Sequence, residues 1–135
     1  MNRKLNIPAD VEELARKAVD AAFHLHNEMG PGLLESVYAA CLKEEFTHRG
    51  IASTFEVPVS IVYRNCRLDI GFRLDCLVQN RLLLEFKSVE SILPVHRAQV
   101  ITYLKLTKLP LGLLVNFNVP LIKDGIQRIF NPDLT

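Results

Sequence analysis

Asp75-Cys-Leu-Val-Gln-Asn-Arg-Leu-Leu-Leu-Glu85-Phe-Lys87 reads as two strands folded back on each other. Gln79-Asn80-Arg81 is a short polar connection between two apolar runs, the pattern of a hairpin. If the chain reverses there, Asp75 comes to lie nearly opposite Glu85. Glu85 and Lys87 then share a face, because side chains alternate along a strand. Leu82, Leu83, Leu84 and Phe86 surround Glu85 with apolar neighbours on both faces, so the second strand is expected to be buried. A charge in such a strand needs a partner.

Working upstream, Phe55, Val57, Val59, Ile61 and Tyr63 alternate with mostly polar residues and predict a strand, with Pro58 marking an edge or a bulge. Arg64 to Arg67 is a turn. A second strand from about Leu68 to Val78 carries Gly71 as a bulge position, and with Leu82 to Lys87 it completes an antiparallel meander of three strands. Before the meander, Asp10 followed by Glu13 resembles a capping box, and Val11, Leu14, Ala15, Ala18, Ala22 and Leu25 recur at helical spacing until Gly30-Pro31. A second helix is predicted from about Leu33 to His48, with an apolar stripe of Leu34, Val37, Tyr38, Cys41, Leu42 and Phe46 and a stop at Gly50.

Downstream, Pro94 suits the first turn of a third helix running to about Thr107. The continuous apolar run Leu111 to Val115 then predicts a strand covered on both faces. Reached through a helical crossover, it should lie parallel to the strand before it. After a turn at Lys123-Asp124-Gly125, Ile126 to Phe130 is the last strand. The order is helix, helix, three strands, helix, two strands, which is an α/β chain.

Composition agrees. In 135 residues, 49% are hydrophobic and 23% charged, as expected of one globular domain spanning residues 1–135 and not of a disordered, collagen-like or low-complexity chain. Sixteen Lys plus Arg face 15 Asp plus Glu, for a formal charge of +1. That balance removes any bulk electrostatic attraction to polyanions, so such a partner must be argued from sites. No apolar run approaches the roughly 18 residues of a membrane span, and Met1 to Pro8 lacks the apolar core of a leader. A cytoplasmic protein without a membrane partner is expected. Cys41, Cys66 and Cys76 show no C-x-x-C spacing, and His24 and His26 point to different faces of a helix, so neither set predicts zinc.

Chemistry therefore rests on the hairpin. Hard oxygen ligands such as the Asp75 and Glu85 carboxylates suit Mg²⁺ or Mn²⁺, with positions left for water and a phosphate oxygen. Lys87 could orient the attacking water or stabilise charge growing on phosphorus. The plainer reading is an ion pair bridging two strands. Two further polar residues fall on inward surfaces by helical counting: Glu35, in line with Leu42 and close to Tyr38, and Gln99, on the side of Val95, Thr102, Tyr103 and Leu106.

Gly32-Leu-Leu-Glu35-Ser-Val-Tyr38 is a literal G-x-x-E-x-x-Y. With Arg73-Leu-Asp75, Leu84-Glu-Phe-Lys-Ser, Pro94-Val-His-Arg-Ala-Gln99, Tyr103-Leu104 and Gly112-Leu-Leu-Val-Asn-Phe-Asn-Val-Pro, the chain resembles the GxxExxY family, assigned to the PD-(D/E)xK nuclease superfamily. The resemblance implies a restriction-endonuclease-like core, a central mixed sheet of about five strands flanked by helices. It implies metal ligation by Asp75, Glu85 and the Phe86 carbonyl, with Lys87 catalytic and Glu35 and Gln99 accessory. Leu74 stands where the superfamily name has proline. The implied activity is Mg²⁺- or Mn²⁺-dependent phosphodiester hydrolysis, of DNA more than RNA.

A reading from another class stays open: a catalytically silent nucleic-acid-binding or protein-interaction module on the same fold. The cations available to a polyanion are Arg64, Arg67, Arg73, Arg81, Arg97, Lys105 and Lys108. A homodimer would double that basic surface.

Overall fold

The computed structural model describes residues 6–134, so the beginning of the stretch read above for a leader lies outside it. Helix α1 (Ala9–Met29) buries the expected Val11, Leu14, Ala15, Ala18, Ala22 and Leu25, together with Ala21 and His26. Its start differs from expectation: Pro8 is the N-cap, and no side chain caps the first turn. Asp10 lies inside that turn and accepts two hydrogen bonds from Arg81, at 2.9 and 3.1 Å. With Pro8 as the N-cap, Asp10 is the second helical residue and cannot cap, while its carboxylate still favours the positive end of the helix.

Helix α2 (Glu35–Arg49) begins later than Leu33 and buries a stripe of Tyr38, Leu42 and Phe46, spaced four residues apart. Leu34 remains 72% exposed and Val37 also faces outward, so the stripe is narrower than the apolar residues suggested. Gly50 closes the helix in the left-handed conformation, φ 69°, where a side chain would be strained.

Five strands follow in the order β1-β2-β3-β4-β5. They are β1 (Ser53–Tyr63), β2 (Cys66–Val78), β3 (Leu82–Lys87), β4 (Leu111–Asn116) and β5 (Ile126–Phe130). Helix α3 (Pro94–Thr107) is the crossover that makes β3 and β4 parallel, and every other pairing is antiparallel. The result is the mixed sheet flanked by three helices that the resemblance implies. All six residues of β4 are buried, as a strand covered on both faces requires. One face packs Leu84, Phe86 and Val115 with α1 and α2; the other packs Leu83 and Leu114 with Val100, Tyr103 and Leu104 of α3. Among the described residues no helix is long and apolar enough to cross a membrane.

The β1–β2 hairpin departs from simple alternation. Its turn is a two-residue one, with Arg64 and Asn65 both at positive φ (51° and 62°), the hand that matches strand twist. Gly71 sits opposite the irregularity at Val59 and Ile61, where a Cβ would lie 1.6 Å from the Val59 carbonyl oxygen. The larger change is at Glu56, whose φ of 53° interrupts the strand. Phe55, Cys76 and Val78 pack in the α1/α2 core, whereas Val57, Val59, Phe72 and Leu74 pack in the α3 core. Strict alternation would have placed Phe55, Val57 and Val59 on one face. The kink at Glu56, opposite Asp75, turns the outer hairpin over and carries β2 away from β3.

Candidate active site

Beyond Cys76↔Leu84, β2 and β3 are no longer paired, although both strands continue. Asp75 and Glu85 stand at that fork. Their side chains take over where the ladder stops: the Phe86 amide donates to Asp75 Oδ2 at 2.8 Å, and the Asp75 amide donates to Glu85 Oε1 at 3.4 Å. The Lys87 carbonyl accepts from Phe117 on the β4 side. The Phe86 carbonyl, one residue earlier, therefore faces the opposite edge and the fork.

Glu85 is 4% exposed. Burial, followed by a hydrogen bond to the Asp75 carboxyl and the charge of that group, pushes its pKa up to about 10. Tyr103 of α3 is also raised, by burial and then by the charges of Glu85 and Asp75. Glu35 remains exposed at the mouth. Partial desolvation raises it, Lys87 opposes that rise, and Asp75 adds to it. Lys87 thus lies within electrostatic reach of both Glu35 and Glu85, yet among the described residues it closes no ion pair with either.

The loop leading into Glu35 at the start of α2 is held by the tyrosine of its own motif. Tyr38 Oη donates to the Gly30 carbonyl at 2.5 Å and accepts from the Leu33 amide at 3.1 Å. Its ring stacks on Phe117 with centroids 4.5 Å apart. Gly32, at φ 96°, makes the bend between those two contacts. Ser88, just after β3, donates to the Leu33 carbonyl at 2.6 Å, tying the loop to the strand that bears Glu85 and Lys87. Behind it, buried Asn116 holds Val89 through both its amide nitrogen and oxygen, at 2.9 and 3.1 Å.

The structure therefore brings Glu35, Asp75, Glu85, Phe86 and Lys87 together. Gln99 is different. Helix α3 turns Val100, Tyr103 and Leu104 inward, leaving Val95, Gln99, Thr102 and Leu106 exposed. The inward face inferred for Gln99 is corrected accordingly, and among the described residues it makes no hydrogen bond to the carboxylates. Two residues not singled out in the sequence border the site, Lys43 and Glu56, which line a cleft with Glu35 and Asp75. Lys43 follows Glu35 by eight residues on one helix face, a spacing that could have revealed it. Glu56 carries no sequence signal, because its place depends on the backbone kink.

The Glu85 carboxyl, which burial keeps protonated, and the Asp75 carboxyl beside it are a suitable donor set for a hard divalent cation. Among the described residues, no three His, Cys, Asp or Glu side chains are gathered closely enough to cage a metal unaided. The donors are two carboxylates and a carbonyl, which fits an ion that keeps much of its water.

A family model described as the PD-(D/E)XK nuclease superfamily matches residues 12–129. The chain belongs to that superfamily, whose members generally use divalent metal ions and act on nucleic acid. No curated protein and no solved structure matches it.

Proposed function

We propose that this chain is a nuclease of the GxxExxY group that hydrolyses phosphodiester bonds, in DNA in preference to RNA. The observation that carries the reading is the fork: buried Glu85, half-buried Asp75 and a lysine meet where the β2–β3 ladder opens. Asp75, Glu85 and the Phe86 carbonyl would hold Mg²⁺ or Mn²⁺. A cation bound there supplies Lewis-acid polarisation of a phosphate oxygen. Lys87 directs its ammonium toward the phosphate under attack and offsets the charge that develops on it. Glu35, at the mouth, accepts a hydrogen bond from the attacking water and aligns it. Gln99 remains at the exposed edge of α3 as an accessory contact and takes no part in the chemistry.

Cleavage of linear, branched and single-stranded DNA and of RNA, in Mg²⁺ and in Mn²⁺, tests the proposal. Lys87→Ala should lower the single-turnover rate by about a hundredfold or more, the range for removing one such electrostatic group, with little change in binding. Lys87→Arg should rescue poorly, since a planar guanidinium does not replace a compact ammonium. Equal rates for wild type and Lys87→Ala would refute the assignment.

A further inference from the structure

The fork is continuous with a cleft of about 350 Å³. Its floor is apolar, formed by Phe55, Phe86, Ala39 and Ala40. Phe55 is half-buried, with its ring centroid 6.2 Å from Phe86 and 6.4 Å from Phe46, so the core braces it from behind. The two alanines leave the space above it open. Lys43 stands at the rim, and among the described residues its ammonium makes no ion pair.

The rest of the surface is poorly suited to a duplex. Arg16, Arg49, Arg81 and Arg128 are each held by carboxylates of this chain at 2.6 to 2.9 Å. Arg97 bonds to Gln127, and Arg73 lies 4.0 Å from Glu56. These six arginines are therefore engaged internally and are less available to neutralise a row of phosphates. The cleft offers a different source of affinity: an aromatic floor for one base, a single cation for one phosphate, and the Glu56 carboxylate, which can accept a hydrogen bond from a base amino group. Its volume lies near the lower end of the roughly 300 to 1,000 Å³ of small-ligand sites, which suits one nucleotide.

We propose that this cleft holds one unpaired nucleotide of a single-stranded nucleic acid, its base against Phe55 and its phosphate toward Lys43, next to the bond to be cut. The adjoining bond rests on the nuclease reading above; the nucleotide site itself does not.

The test is fluorescence anisotropy in a Lys87→Ala background, which spares the probe, with a labelled single-stranded DNA, the blunt duplex of the same sequence, and single strands carrying one abasic position at a time. The single strand should bind at least about tenfold more tightly than the duplex, and one abasic position should weaken binding by roughly tenfold, as loss of one stacked base does. Phe55→Ala should match that loss and Phe55→Trp should retain affinity, which separates stacking from folding. Lys43→Gln, on the exposed rim, should cost a few-fold. Equal binding of duplex and single strand, or an abasic scan without a preferred position, would overturn the proposal even if the wild type cleaves DNA. A preferred position in a protein that cleaves nothing would uphold it and remove the nuclease reading instead.

Discussion

The two ends of the β2–β3 pair are built by opposite rules. At the turn end, Val78↔Leu82 to Cys76↔Leu84, backbone amides and carbonyls satisfy one another and the side chains, half-buried Leu77 apart, are fully buried hydrocarbon and a thiol. At the fork, carboxylates replace ladder partners, and a buried glutamate is kept where hydrocarbon would be cheaper. The closed end should supply stability, and the open end should cost it until a counter-charge arrives.

The largest effect on folding should come from the closed end. Leu84→Ala removes a side chain only 1% exposed and should destabilise the protein by about 2 to 5 kcal/mol, read from denaturant midpoints. A loss below about 1 kcal/mol would mean that the packing there is looser than described.

Next is the pH response of the open end in the presence of a chelator. Glu85 has a folded pKa raised to about 10, above its ordinary 4.5, so the folded state holds a proton that the unfolded chain has released between those limits. Stability from this pair is therefore present below about 4.5 and falls as pH climbs toward 10, by at most about 1.4 kcal/mol per pH unit. Glu85→Gln should flatten that slope; an unchanged slope would locate it elsewhere.

Tyr38→Phe should have the smallest effect, about 1 kcal/mol, because the ring still stacks on Phe117 and only the hydroxyl contacts to Gly30 and Leu33 are lost. Its activity should fall further than its stability, as the loop leading into Glu35 loosens. Parallel losses would make the tyrosine a packing residue only.

The same contrast explains how far the sequence could be read. Leu111 to Val115 announced a strand covered on both faces, and Gly50 a helix stop, because burial and left-handed backbone leave local marks. Asp75 could be set against Glu85 because a three-residue connection leaves little choice of register. Glu56 could not be foreseen: a glutamate at positive φ is a concession to tertiary packing, and beyond it Val57 and its partner Leu74 pack on the α3 face. Gln99 was misplaced for a related reason. Helical counting ranks neighbours, but whether α3 settles on Tyr103 and Val100 or one residue further round is decided by the sheet beneath it. Asp10 is no cap because the helix begins at Ala9, earlier than the capping-box pattern suggested, and its carboxylate instead meets Arg81, which is distant in sequence and near only in the fold.

The central claim is that the fork is a cation site made by Asp75 and Glu85. Calorimetric titration with Mg²⁺ and Mn²⁺ tests it most directly, comparing wild type with an Asp75→Ala, Glu85→Ala double variant whose fold is verified by circular dichroism. Binding in the wild type and its loss in the variant is the predicted result; equal affinity in the two proteins would contradict it.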